Sequence, residues 1–344
     1  MENEKIDLRS DTITQPTKEM RKAMMECEVG DDVSREDPTI NRFEERTAEI
    51  FGKEAALFVP SGTFGNQCSI MTHTQSGNEI IVCDDSHIVQ HEAGASALLS
   101  RVQLRTITPQ NNAYMTLAEI ESKLRKDKDI HYPKTGLICL EQATAYGNVY
   151  PQDLMRQIWE MAQYYGVPIH IDGARIFNAA LALGTEPKEL TKYCDSISIC
   201  LSKGLCAPVG SVIAGDAEFI EKARVNRKIL GGGMRQAGFL AACGMVAYEK
   251  MTDRLAEDHE NAKLFAHLID EDDRIEISRK PEISMVFVKL KNTEQTAEDL
   301  VEKITKKGLL TYLPEAGEIR FVMRYGITEK DVKKAAAILL GELQ

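Results

Sequence analysis

The sequence predicts an α/β protein with a large, mainly parallel-sheet domain and a smaller C-terminal α+β domain. Three observations carry that expectation. Short apolar runs alternate with longer segments of helical period through the first two-thirds of the chain, as successive strand–helix crossovers require. Beyond residue 250 the alternation gives way to a different mixture of helix and strand. The chain, at 344 residues, is also longer than one typical domain. The expected division is an N-terminal arm plus large domain at 1–250 and a small domain at 251–344.

In order along the chain, Ala55–Val59, Glu79–Cys83, Leu137–Leu140, Val167–Ile171, Ser196–Leu201 and Ser211–Ala214 read as buried strands. Between them Gln67–His73, Thr116–Lys126 and Leu154–Tyr165 show helical patterns. Later come a helix over Asp253–Ile269, an apolar alternation at Ile283–Leu290 and a helix at Ala297–Lys307. Strands at Leu309–Leu313 and Glu318–Met323 and a helix from Thr328 complete the series. The arm, Met1 to Pro16, has no clear period and is expected to lie across another part of the molecule. There is no internal repeat and no low-complexity tract.

Composition narrows the function. An apolar fraction of 43% and a charged fraction of 28% are ordinary for a soluble globular protein. The net charge of -11 argues against a nucleic-acid partner. No apolar stretch approaches the roughly 20 residues that span a bilayer, so no membrane partner is expected. The N-terminus lacks the apolar core of a signal peptide, and a cytoplasmic location is the expectation. The eight cysteines are scattered with no Cys-x-x-Cys pair, which disfavours a disulfide framework or a structural metal site.

Two motifs carry chemistry. Ile169-His170-Ile171-Asp172-Gly173-Ala174-Arg175 ends an apolar run in an acid, and Leu201-Ser202-Lys203-Gly204 ends the next in a lysine. Pyridoxal phosphate needs a lysine amine for a Schiff base with its aldehyde and a carboxylate against its pyridine nitrogen. Asp172 and Lys203 supply both, at strand ends where ligands of parallel sheets bind. Either alone reads equally as a strand-end turn or a solvated lysine; their pairing is the signal.

Other segments extend the pattern. Ser61-Gly62-Thr63-Phe64-Gly65-Asn66 follows a strand and opens a helix, which suits a phosphate and equally an ordinary capped helix. His87, His91 and Glu92 are open to two readings: a metal set on one helix face, which is disfavoured, or His87 flat over the cofactor ring with His91 and Glu92 behind it. Gly231-Gly232-Gly233-Met234-Arg235-Gln236 is either a hinge or a backbone approach to an anion neutralised by Arg235. Arg320, in an expected strand, is a surface residue or a bidentate partner for a substrate carboxylate.

Together these stretches resemble the low-specificity L-threonine aldolases, within the aspartate-aminotransferase (type I) fold of pyridoxal-phosphate enzymes. Ile6-Asp7-Leu8-Arg9-Ser10-Asp11-Thr12, Val29-Gly30-Asp31-Asp32-Val33 and Glu36-Asp37-Pro38-Thr39 are similar to family segments. The strongest matches are residues 170–178, residues 200–205 and the Gly-Gly-Gly-Met-Arg-Gln block. The resemblance implies a Schiff base on Lys203, Asp172 at the pyridine nitrogen and His87 stacked on the ring. It implies phosphate bound by Gly62 and Thr63 with Arg235 of a neighbouring subunit. Ser10, Arg175 and Arg320 would gather a substrate carboxylate, Arg175 also near the cofactor hydroxyl. The catalytic set is then Lys203, His87 and Asp172, with no metal, and the assembly a homodimer or homotetramer with sites at subunit interfaces.

The implied reaction cleaves a small-molecule substrate, L-threonine, L-allo-threonine or a related β-hydroxy-α-amino acid, to glycine and an aldehyde. β-Elimination or transamination on the same cofactor is the alternative, and a non-enzymatic binding protein is a third reading. Two departures bear on substrate. Glu141-Gln142-Ala143-Thr144-Ala145 places Thr144 where the family commonly has a histidine, leaving His87 or a water to accept the β-hydroxyl proton. Val33-Ser34-Arg35 lacks the family's common tyrosine.

Overall fold

The computed structural model describes residues 5–110, 113–126 and 129–344. Its contacts divide into two units: Pro16–Ser202 with Ala207–Glu249, and the arm through Gln15 with Lys203–Cys206 and Lys250–Gln344. The described strands in chain order are β1 (Ile6–Asp7), β2 (Ala55–Val59), β3 (Glu79–Cys83), β4 (Gln103–Ile107), β5 (Thr135–Glu141) and β6 (Ile169–Asp172). They continue with β7 (Ser196–Cys200), β8 (Ser211–Gly215), β9 (Ile275–Ile277), β10 (Met285–Leu290), β11 (Leu309–Leu310) and β12 (Ile319–Val322).

The large unit is organised on a seven-stranded sheet in the order β2-β8-β7-β6-β5-β3-β4. Pairing is parallel from β7 through β4, whereas β8 runs antiparallel to both β7 and β2. β3 and β7 are buried at every position; β3 is accordingly apolar from Ile80 to Cys83, whereas β7 alternates, with Ser196 and Ser198 buried between Ile197, Ile199 and Cys200. The mainly parallel large domain predicted from the sequence is the architecture found. The expectations missed β4, whose Gln103-Leu104-Arg105-Thr106 is half exposed at the sheet edge and has no apolar run to announce it. β6 starts at Ile169, not Val167, directly after Pro168, a residue without an N–H to give a ladder.

In the smaller unit β12, β10 and β9 form an antiparallel sheet, packed with helices Leu255–Ile269, Ala297–Lys306 and Glu329–Gly341 around Leu8, Phe265, Leu300, Phe321 and Leu339. The arm, assigned with residues 1–250 on sequence, groups instead with this unit. The reason is local: β1 pairs in parallel with β11, and the buried Ile6 and Leu8 join the same apolar core. The Leu8 carbonyl also accepts a hydrogen bond from Val322 N at 2.9 Å.

Candidate active site

Alternation along a strand puts His170 and Asp172 on one face of β6, with Ser196 and Ser198 of β7 as their register partners. The helix Gly62–His73 packs on this part of the sheet, and Asn66 and His73, two turns apart, share a face. Two glycines permit the close approach. A Cβ on Gly62 would lie 2.6 Å from Cys200 Sγ, and one on Gly65 would run into the Ser198 hydroxyl.

The result is a buried polar group inside an apolar frame. Asn66 Nδ2 donates to Asp172 Oδ2 at 2.7 Å and to Glu92 Oε1 at 2.8 Å. Asp172 Oδ1 accepts from Ala174 N at 3.0 Å, and Glu92 Oε2 from Gln67 Nε2 at 2.6 Å. Asn66 Oδ1 lies 3.2 Å from His170 Nε2, while Ser196 Oγ sits 2.8 Å from His170 Nδ1 and 2.7 Å from His73 Nε2. Burial disfavours the charged form of both imidazoles, pushing His170 down to about 4 and His73 to about 3.

His87 opens a single helical turn, His87–Gln90, and its Nδ1 is 2.8 Å from Glu92 Oε1. His91 caps that turn instead of continuing a helix, and its ring centroid lies 5.5 Å from that of His87. Ligand atoms of His87, Glu92 and Asp172 do lie within 4.8 Å of one another. Here the Asn66 amide already bridges the two carboxylates, and the His87 N–H occupies a further lone pair of Glu92.

Gly62 and Thr63 begin the helix that carries Asn66, with Ser61 as its cap, the hydroxyl accepting from Phe64 N at 3.2 Å. Arg175 caps the helix Ile176–Leu183 just beyond Asp172 and is half-buried. Arg235 is exposed and pairs with Asp31, Nη1 to Oδ2 at 2.6 Å. The glycines before it end the helix Ala217–Ile229, and the next helix starts only at Gly238, whose N–H donates to Asp37 Oδ2 at 2.9 Å.

Lys203, Ser10 and Arg320 belong to the smaller unit. The Lys203 carbonyl accepts from Thr14 Oγ1 at 2.8 Å and from Cys206 N at 2.9 Å, the latter closing a tight turn with Cys206 in left-handed backbone (φ 65°). Ser10 is buried and caps the turn Asp11–Ile13. Arg320 is half-buried in β12, opposite Phe287. Thr144 is buried, its Oγ1 accepting from Asn148 N at 3.2 Å, and Ser34 is exposed at the end of a short turn capped by Asp31.

Sequence reasoning gave no role to Asn66, Gln67, His170 or Ser196. A signal existed: polar residues at alternate positions of two adjoining apolar strands, matched by Asn66 and His73 seven apart on the preceding helix.

The beta-eliminating lyase family matches residues 7–293. The chain is 43% identical over 334 residues to a probable low-specificity L-threonine aldolase 2 of Arabidopsis thaliana, covering 95% of this chain and 94% of that one. It is 40% identical over 332 residues to the low specificity L-threonine aldolase of Escherichia coli K12, covering 96% and 97% respectively. In fold it is similar to the threonine aldolase of Leishmania major, with a TM-score of 0.84 at 17% identity, covering 97% of this chain and 98% of that chain.

Proposed function

The chain belongs to the beta-eliminating lyase family, and from that premise we propose that it is a pyridoxal-phosphate-dependent carbon–carbon lyase. Its substrate is L-threonine, L-allo-threonine or a related β-hydroxy-α-amino acid, cleaved to glycine and an aldehyde. The carrying observation is the buried carboxylate of Asp172, fixed by Asn66 at the carboxyl end of a parallel strand.

The residues fit the cofactor. Asp172 offers a hydrogen-bonded carboxylate for a protonated pyridine nitrogen, and Gly62 and Thr63 offer helix N-terminal N–H groups for a phosphate. Gly62 has no space for a side chain against Cys200, so the helix start packs close to the sheet only with glycine there. When bound, pyridoxal phosphate supplies a sink for the electron pair released as the Cα–Cβ bond breaks. Lys203 would hold the cofactor through its amine, and Arg235 of a neighbouring subunit would add charge at the phosphate. Ser10, Arg175 and Arg320 would clamp the substrate carboxylate, setting which bond at Cα stands perpendicular to the ring. His87 would stack on the ring. Its Nδ1–H is committed to Glu92, which leaves Nε2 as the acceptor for the β-hydroxyl proton, directly or through a water.

The proposed assembly is a homodimer or homotetramer in the cytoplasm, with sites at subunit interfaces. Met25, Leu98, Val225 and Ile229 of the large unit are apolar and exposed in the single chain, as such an interface requires. Among the described residues no helix is long and apolar enough to cross a membrane.

The test is aldehyde release from L-threonine and L-allo-threonine by cofactor-loaded protein, with Lys203→Ala as control. Glycine and aldehyde in equal amounts, lost in the variant, are expected. Ammonia with a keto acid would replace the retro-aldol assignment by elimination or transamination.

A further inference from the structure

With Asp172 and Glu92 taken as carboxylates, the side-chain contacts of the polar group behind Asp172 fit one arrangement of hydrogens, and the Ser196 backbone is a further hydrogen-bond neighbour of the His170 ring. Asp172 and Glu92 are acceptors as carboxylates, so the Asn66 atom between them is its –NH2, one hydrogen to each. The Asn66 oxygen then faces His170 and accepts, which puts the His170 proton on Nε2. Its Nδ1 is thereby an acceptor, so the Ser196 hydroxyl donates to it. The Ser196 oxygen in turn accepts from Nε2–H of His73. Every donor points the same way, from His73 toward the two carboxylates.

We propose that His170, with Ser196 and His73 behind it, is a positioning residue that locks the Asn66 amide, and through it holds Asp172 at the cofactor's pyridine nitrogen and Glu92 beneath His87. The proposal rests on the cofactor reading above. Its physical content is a penalty on the flipped amide. Turning Asn66 over would set its oxygen against two carboxylate oxygens and its –NH2 against the His170 N–H. Without the His170 donor only the first half of that penalty remains. The amide would then be held by its two carboxylate contacts alone, and partial rotation would release one of them. A neutral imidazole is required in this role, because a cation beside Asn66 would compete for the same carboxylates. The low values imposed by burial on His170 and His73 satisfy that condition at neutral pH.

Two measurements decide it. Apoprotein is titrated with pyridoxal phosphate and with the analogue whose ring nitrogen is replaced by CH, for the unmodified chain, His170→Leu and His170→Gln. The expected result is a loss of about tenfold or more in affinity for pyridoxal phosphate in His170→Leu, with affinity for the analogue unchanged. His170→Gln, which keeps an N–H where Nε2 was, retains most of the affinity. Ser196→Ala, a smaller change, repeats the comparison if His170→Leu does not fold. Equal losses for both ligands would reduce His170 to a packing role and overturn the proposal.

Second, nitrogen NMR of the histidine-labelled apoprotein reads the tautomers directly. Neutral rings protonated at Nε2 are expected for His73 and His170, and a proton on His170 Nδ1 would sink the one-way chain. If the unmodified protein neither binds pyridoxal phosphate nor releases aldehyde, the functional reading fails on its own. The tautomers of the apoprotein still decide the direction of the chain.

Discussion

The two units show two kinds of interior: an apolar core in the smaller one and, beside the large unit's own apolar clusters, a buried polar group. The smaller unit is held by Leu8, Phe265, Leu300, Phe321 and Leu339, all fully buried and all apolar. The large unit places Asn66, Gln67, Glu92, His170, Asp172 and Ser196 inside an equally buried frame. Apolar packing is non-directional and tolerates local adjustment. A buried polar group is directional, and each donor or acceptor left unmatched costs free energy, so its geometry is specified atom by atom. The first kind of interior supports a fold; the second holds a reagent. Substitutions in the two should therefore separate stability from activity.

The largest effect on stability belongs to the apolar interior. Phe321→Ala removes a ring whose centroid lies 5.0 Å from that of Phe265. It should cost about 3–5 kcal/mol of stability, read from denaturant unfolding of the assembled protein. A cost below about 1 kcal/mol would mean that this core collapses around the gap and does not hold the unit. The matching change in the polar interior, Asp172→Asn, should behave in the reverse manner. Turnover should fall by roughly 100- to 1000-fold, by analogy with loss of a preorganised electrostatic group. Stability should change by less than about 1 kcal/mol or rise, because one of two neighbouring buried carboxylates is removed. An unfolding midpoint that drops as far as that of Phe321→Ala would erase the distinction between the interiors.

The contrast also explains what the sequence disclosed. Central strands such as Glu79–Cys83 and Ser211–Gly215 were legible because burial on both faces demands an unbroken apolar run, which needs no partner to be recognised. β4 was not, since an edge strand with one solvated face dilutes that signal. The site divides along the same line. Asp172, Lys203 and the Ser61–Asn66 turn stood out because acid, lysine and glycine break apolar runs. Asn66, Glu92, His170 and Ser196 act only through each other. A hydrogen bond between residues more than a hundred positions apart, such as His170 to Asn66, leaves no local pattern. The pairing of the arm with β11 is equally non-local, and neither partner's sequence announces it.

Acid sharpens the comparison at a smaller scale. Burial pushes His170 in the large unit and His259 in the small unit each down to about 4. The unfolded chain, near 6.5, takes up these protons first, so each histidine favours the fold fully above about 6.5 and loses that contribution as the pH falls toward 4. The slope is at most about 1.4 kcal/mol per pH unit for each group. His259→Gln and His170→Gln should each flatten the fall in stability between pH 6.5 and 4. Only His170→Leu should also weaken cofactor binding at pH 7.5, where neither histidine titrates. A pH profile unchanged by either glutamine variant would show that these imidazoles are not buried neutral in solution.

The smallest effect compares two helix caps of the same chemistry. Thr328 caps the helix Glu329–Gly341 of the small unit, its hydroxyl accepting from Asp331 N at 3.3 Å in a reciprocal capping box. Ser61 caps the helix Gly62–His73 at the proposed phosphate end, accepting from Phe64 N at 3.2 Å. Alanine at either position should cost about 1 kcal/mol of stability by orphaning one N–H. The consequence for function should differ. Thr328→Ala leaves the affinity for pyridoxal phosphate unchanged, whereas Ser61→Ala frees the first turn to fray where Gly62 and Thr63 must hold their N–H groups toward the phosphate. Titration of both apoproteins with pyridoxal phosphate and with unphosphorylated pyridoxal separates the two cases. A loss in Ser61→Ala that is confined to the phosphorylated ligand marks that helix end as the phosphate site; an equal loss for both ligands removes it from that role.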